Sequence, residues 1–144
     1  MGKRRSTLVF VDSSVLFSAV NSPTGGSAKL FTVENLKLVA SPVVLTEVER
    51  NVRKKLLEDH LKRFFLLVEQ LTIIDQRPDE SVIRRAKKVI TEKDAVILAE
   101  AKQSKAEVLV TLDKKHFLTP KVAKFLGRQK VATPKMLLAI ILKT

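Results

Sequence analysis

The sequence predicts an α/β fold in which a mostly parallel sheet of four to five strands lies between layers of helix, and three observations predict it. Short β-rich apolar runs recur along the chain, Thr7-Leu8-Val9-Phe10-Val11 and Val108-Leu109-Val110-Thr111 being the clearest. Between them stand segments whose apolar residues follow helical spacing. Strands alternating with helices imply a sheet covered on both faces, a three-layer α/β/α sandwich. The chain has 144 residues, the commonest size of one domain, so a single domain over 1–144 is expected.

The elements follow in order. The strand Thr7 to Val11 ends in Asp12-Ser13-Ser14, and Val15, Leu16 and Ala19 begin a helix. Pro23 and Gly25-Gly26 mark a loop before a short helix around Ala28 to Glu34, and Leu36 to Ala40 is the second strand. Ser41-Pro42 starts a helix that runs to about Leu57, because serine caps free amides and proline fits the first turn. A helix from about Glu58 to Gln70 precedes a strand at Leu71 to Ile74 and a turn at Pro78. Helical stripes then cover Ser81 to Val89 and the segment from Glu92, capped by Thr91. After Val108 to Thr111 come a helix at Pro120 to Leu126, an edge strand at Lys130 to Ala132 and, behind Thr133-Pro134, a terminal helix.

Composition narrows the chemistry. The longest apolar run, Met136 to Leu142, is far short of the ~20 residues a bilayer requires, and the basic N-terminus lacks an apolar signal core, so a cytoplasmic protein with no membrane segment is expected. The absence of cysteine excludes disulfides, thiolate metal sites and a cysteine nucleophile. Any metal must be held by oxygen or by the two histidines, His60 and His116. Twenty-seven Lys and Arg against fifteen Asp and Glu give a formal charge of +12, which attracts a polyanion; nucleic acid is the leading partner class.

Four acids stand out against this basic background. Asp12 and Asp113 each follow an apolar strand, at the sheet edge where open parallel sheets bind ligands. Asp94 lies in the first turn of the helix leading to the second of those strands, and Glu47 falls between Val43 and Val44 on the helical wheel, in the sector that faces the protein. An inward carboxylate requires a partner or a cation. Taken singly, each acid has a plainer explanation: Asp12 caps a helix, Asp113 makes an Asx turn, Thr91 and Asp94 form a capping box, and Glu47 pairs with Arg50.

Read together, Val9-Phe10-Val11-Asp12-Ser13-Ser14-Val15-Leu16, Ser41-Pro42-Val43-Val44-Leu45-Thr46-Glu47-Val48, Lys93-Asp94-Ala95-Val96-Ile97-Leu98-Ala99-Glu100-Ala101 and Val110-Thr111-Leu112-Asp113-Lys114-Lys115-His116-Phe117 resemble the PIN-domain family of nucleases over nearly the whole chain. The resemblance implies a divalent ion among the acids, cleavage of single-stranded RNA and, as in many VapC-like relatives, the role of toxin in a toxin-antitoxin pair, with an antitoxin protein as partner. Two departures stand out: Ser14 occupies a position where many relatives have Asn, and Leu112 replaces a frequent polar residue.

The resulting expectation is an endoribonuclease with Asp12, Glu47, Asp94 and Asp113 as its catalytic set. Asp12, Asp94 and Asp113 form the metal set for Mg²⁺ or Mn²⁺, with Ser14 and Thr111 as secondary residues. Asp12 and Asp94 are the expected direct ligands; Glu47 and Asp113 act through water or position the nucleophile. Arg50, Arg53, Lys54, Lys114 and Lys115 are the expected RNA-backbone contacts, and His116 is read as a surface or phosphate-contact residue. A homodimer through the face bearing Phe64 and Phe65 is expected from the family, although the same residues suit a core.

Two rival classes share part of the pattern. One is a nucleic-acid-binding or protein-interaction module with the same fold and no turnover, which loss of an acid would favour; none is lost. The other is a phosphoacceptor domain, which needs an acidic pair after the first strand, where this chain has Asp12-Ser13-Ser14. Pro23 to Lys29 resembles a phosphate-binding loop only superficially, since it lacks the Gly-Lys-Ser/Thr ending.

Overall fold

The structure, a computed structural model, describes residues 6–142. Its centre is a five-stranded, all-parallel sheet in the order β3-β2-β1-β4-β5, formed by β1 (Thr7–Val11), β2 (Leu36–Ala40), β3 (Thr72–Ile73), β4 (Val108–Val110) and β5 (Lys130–Ala132). Val9, Phe10 and Val11 in the middle strand are all 0% exposed, as a strand covered on both faces requires. Pairing of Phe10 with Leu109 and of Val11 with Val110 brings the ends of β1 and β4 level.

Nine helices connect the described strands: α1 (Ser13–Asn21), α2 (Gly26–Lys29), α3 (Pro42–Lys55), α4 (Glu58–Val68), α5 (Glu80–Ala86), α6 (Glu92–Ser104), α7 (Lys114–Phe117), α8 (Pro120–Leu126) and α9 (Pro134–Leu142). One group packs α1 against α2, α3 and α4; another pairs α5 with α6. The helix expected from Ala28 to Glu34 divides into α2 and a 3₁₀ turn at Leu30–Thr32, which the Thr32 hydroxyl closes by donating to the Lys29 carbonyl. The strand expected over Leu71 to Ile74 is only two residues long, and the helix expected over Ser81 to Val89 ends at Ala86.

The caps form as the sequence predicts at α3, where Ser41 Oγ accepts from the Val44 amide with Pro42 in the first turn. They fail at α6. Thr91 is the N-cap residue but makes no side-chain cap bond; its hydroxyl donates to Asp94 Oδ2 at 3.0 Å, so the capping box expected there is absent. Phe64 and Phe65 divide between interior and surface: Phe64 is buried, while Phe65 and its neighbour Leu66 on α4 are exposed. Among the described residues no helix is long and apolar enough to cross a membrane.

Candidate active site

The chain first builds β2 and β3 on one side of β1, then returns to build β4 and β5 on the other. Strand order therefore reverses between β1 and β4, and a crevice opens there at the carboxyl ends of the strands. Asp12 directly follows β1, and Asp113 follows β4 as the N-cap residue of α7. Glu47 comes from α3, which begins just after β2, and Asp94 from the first turn of α6. All four line one cleft of about 250 Å³, together with Ser13, Ser14, Phe17, Asn51, Lys55, Lys93 and Phe117.

Asp12 is only 5% exposed, and its surroundings account for its placement. Although Asp12 is the N-cap residue of α1, its side chain makes no capping hydrogen bond to that helix. Oδ2 instead accepts from the hydroxyls of Ser14 and Thr111, each at 2.8 Å. Those hydroxyls are themselves fixed by backbone amides of the segment after β4: Ser14 Oγ accepts from Leu112 at 3.0 Å and Thr111 Oγ1 from Asp113 at 3.0 Å. Burial pushes the Asp12 carboxyl above its ordinary value of 3.8, the Ser14, Thr111 and Ser13 hydrogen bonds oppose that rise, and the nearby Asp94 charge adds to it. A buried carboxylate with one oxygen saturated and an acid beside it is a site that a cation would stabilise.

The tightest set of potential ligand atoms among the described residues belongs to Asp94, Asp113 and His116, one from each, all within 4.8 Å of one another. Asp113 accepts from the His116 amide at 3.1 Å, an Asx-type cap that fixes the short helix α7. The His116 ring is held on the same carboxylate, with Nδ1 2.8 Å from Oδ2 and 3.1 Å from Oδ1. With the proton on Nδ1, Nε2 is left as an acceptor. His116 thus joins the acids rather than lying apart as a surface residue, and its signal was the three-residue spacing after Asp113. A donor set dominated by carboxylates, with one imidazole and no thiolate, fits a hard divalent ion.

Glu47 is half-buried, and its Oε2 accepts from Ser13 Oγ at 2.7 Å, which ties α3 to the start of α1. Val44 beside it is fully buried but Val43 is 43% exposed, so Glu47 sits on the margin of the buried stripe. The helix carries Asn51 and Lys55 into the cleft on the same flank. Lys93 enters from α6. Arg50 lies in an adjoining depression shared with Glu47 and Lys93. Arg53 is placed elsewhere, in an exposed ion pair with Glu49 at 3.0 Å, and Lys54, Lys114 and Lys115 are exposed and outside the cleft lining. Ser13, Asn51, Lys55 and Lys93 are the polar cleft residues, and Phe17 and Phe117 the apolar ones, that sequence reasoning did not select as site residues.

The model of the PIN domain matches residues 9–122, most of the chain and every acid of the cleft. The chain belongs to the PIN domain family. PIN domains are nucleases, and the fold described above recurs in solved structures. A chain of the VapBC2 complex from Rickettsia felis, solved with a DNA fragment of the promoter, is similar with a TM-score of 0.66 and 18% identity, over 88% of this chain and 98% of that one. PAE2754 from Pyrobaculum aerophilum is similar at 0.63 and 19% identity, over 96% and 91%. A chain of VapBC-1 from nontypeable Haemophilus influenzae is similar at 0.61 and 17% identity, over 90% and 99%. No curated protein sequence matches. At such identities the likeness establishes the PIN fold, and the chemistry must be argued from this chain's own cleft.

Proposed function

We propose that this PIN domain is a divalent-metal-dependent endoribonuclease that hydrolyses single-stranded RNA. The observation that carries the reading is the convergence of Asp12, Glu47, Asp94 and Asp113 on one cleft that Lys55 and Lys93 also line. Acids alone repel phosphate, so a site that gathers four of them on a chain of charge +12 is built for a cation first and a polyanion second. A bound Mg²⁺ or Mn²⁺ supplies a water of lowered pKa and offsets charge on the phosphate and the leaving oxygen.

The chain's own groups have distinct tasks. Asp12 and Asp94 are the direct metal ligands; Ser14 and Thr111 hold Asp12 in a fixed rotamer and keep it ionised. Asp113 completes the metal set, and His116 fixes its orientation. Glu47, steadied by Ser13, positions the attacking water. Lys55 and Lys93 hold the RNA backbone, with Arg50 beside them and Lys114 and Lys115 on the adjoining surface.

The VapBC structures that share the fold support the role of toxin in a toxin-antitoxin pair, with an antitoxin as its protein partner, and a cytoplasmic location is part of the same proposal. A second copy is a further expected partner, through the exposed Phe65 and Leu66 of α4.

The test is cleavage of labelled single-stranded RNA by the wild type, Asp12→Asn and Asp94→Asn in Mg²⁺, Mn²⁺ or EDTA, with folding verified by circular dichroism. Cutting that requires metal and falls at least about 100-fold in both folded variants is the expected result. Cutting that survives both substitutions, or RNA binding with no cutting under any condition, rejects the enzymatic reading.

A further inference from the structure

The acid cleft does not end at Glu47 and Lys93. Both residues also line an adjoining depression of about 470 Å³ in the crevice between α3 and α6, whose other walls are Pro42, Val43, Thr46, Arg50 and Ile97. That volume lies within the ~300–1,000 Å³ of small-molecule sites. Pro42, Val43 and Ile97 give it an apolar floor. Val43 is 43% exposed although the same helix buries Val44, Val48 and Val52, so this apolar side chain is spared for the groove rather than used in the core.

Arg50 on α3 and Lys93 on α6 add a cation from each wall, and Thr46 adds a hydroxyl. An apolar surface with two cations against the one carboxylate, Glu47, that joins it to the hydrolytic centre suits a nucleotide, with the base on the floor and the phosphate at Arg50 and Lys93. The next depression along the crevice shares Pro42 and Val43 but contains Asp75 and Glu100 against a single guanidinium, Arg77. Phosphate is therefore favoured at Arg50 and Lys93 over the next depression.

We propose that this depression is a nucleotide subsite beside the scissile bond, with Val43 beneath the base and Arg50 and Lys93 on its phosphate. The proposal rests on the nuclease reading above and adds to it a place where the enzyme distinguishes one nucleotide from another. Apolar contact here takes over a task that aromatic stacking performs elsewhere, in a chain with no Trp or Tyr.

The test compares Val43→Asp with Ile140→Asp, which makes the same charge change on an exposed apolar residue of α9 that lines neither depression. Two quantities are read: KM, kcat and cleavage positions on a defined RNA, and binding of a fluorescent single-stranded hexanucleotide on an Asp94→Asn background. Val43→Asp is expected to raise KM about tenfold with kcat within about twofold, to shift the cleavage positions, and to weaken hexanucleotide binding about tenfold, the lower part of what one seated base contributes. Ile140→Asp is expected to do none of these. Mn²⁺ affinity should be equal in both variants. Equal KM, cleavage pattern and binding in the two variants overturns the subsite, and is also the outcome if the groove receives a protein segment. A wild type that never cleaves, while Val43→Asp still weakens hexanucleotide binding, overturns the nuclease reading and supports the subsite as a nucleotide site.

Discussion

Replacing Thr111 with Val tests the architecture around Asp12, because the two residues have nearly the same shape and differ by a hydroxyl with two defined tasks. Thr111 is 0% exposed; its Oγ1 donates to Asp12 Oδ2 at 2.8 Å and accepts from the Asp113 amide at 3.0 Å. A hydrogen bond to a charged group contributes about 1.5–3 kcal/mol, and this one acts on the ionised form, so its loss raises the Asp12 pKa further. The Asp113 amide, deprived of its acceptor, costs up to about 1–3 kcal/mol at every pH.

The pH dependence separates the two losses. Burial already holds Asp12 above its ordinary value of 3.8 in the folded protein, so the unfolded chain binds fewer protons than the folded one in that window and stability falls as pH rises through it. Thr111→Val widens the window upward. Its stability deficit in urea denaturation of the metal-free protein is therefore expected to be about 1.5–3 kcal/mol larger at pH 8 than below the folded pKa of Asp12. The acid limb of Mn²⁺ binding should move to higher pH, and Thr111→Ser should restore both. A deficit independent of pH, with an unmoved Mn²⁺ limb, would refute the view that Thr111 keeps Asp12 ionised.

Two further outcomes follow from the same reasoning. Mn²⁺ at 100 times its Kd should stabilise the wild type by about 2.7 kcal/mol in thermal-shift measurements near pH 8, and by less as protons compete for the raised Asp12 carboxyl on acidification; an equal effect at both ends of the range would remove Asp12 from the ligand set. Ser41→Ala, remote from the acids, removes both the α3 cap and the 2.6 Å bond to Glu100, whose carboxyl burial pushes up and Ser41 draws down, with a smaller downward pull from Arg77. A loss of about 2–4 kcal/mol in guanidinium denaturation at neutral pH, shrinking as pH falls through the Glu100 pKa, is the expected result, and a loss that does not change with pH would mean that only the cap matters.

The strands were legible because burial on both faces writes itself as uninterrupted apolar runs, and the positions of Asp12 and Asp113 follow from those runs. Helix α7 was not, because Lys114-Lys115-His116-Phe117 has no apolar period; what forms it is the Asp113 side chain accepting from the His116 amide. That contact also brings the His116 ring to the acids, so the unforeseen helix and the unforeseen site residue have one cause. On α3 the buried stripe Val44, Val48, Val52 is plain in the sequence, but it has two flanks. One carries Glu47, Asn51 and Lys55 and the other Leu45, Glu49 and Arg53. Only the tertiary position of the helix decides that the first flank meets the cleft, while Arg53 turns to Glu49 by the local four-residue spacing on the other.

The geometry also explains the two departures from the family pattern. The position of Ser14 has two requirements: a proton for Asp12 Oδ2 and a lone pair for the Leu112 amide. Serine meets both with one atom, and asparagine meets them with the two ends of its amide, so either residue closes the circuit between the β1 and β4 ends. Leu112 contributes only its backbone N–H to that circuit, and its side chain is 44% exposed, so a polar residue or a leucine serves equally. Each of the two hydroxyls on Asp12 has a single proton, and each gives it to the carboxylate, which leaves the 3.4 Å approach of Ser14 Oγ to Thr111 Oγ1 without a proton to share. The hydroxyls therefore select the ionised form of Asp12, the form a cation requires, while burial works against it. A carboxylate held ionised against its own burial is an arrangement that metal binding completes.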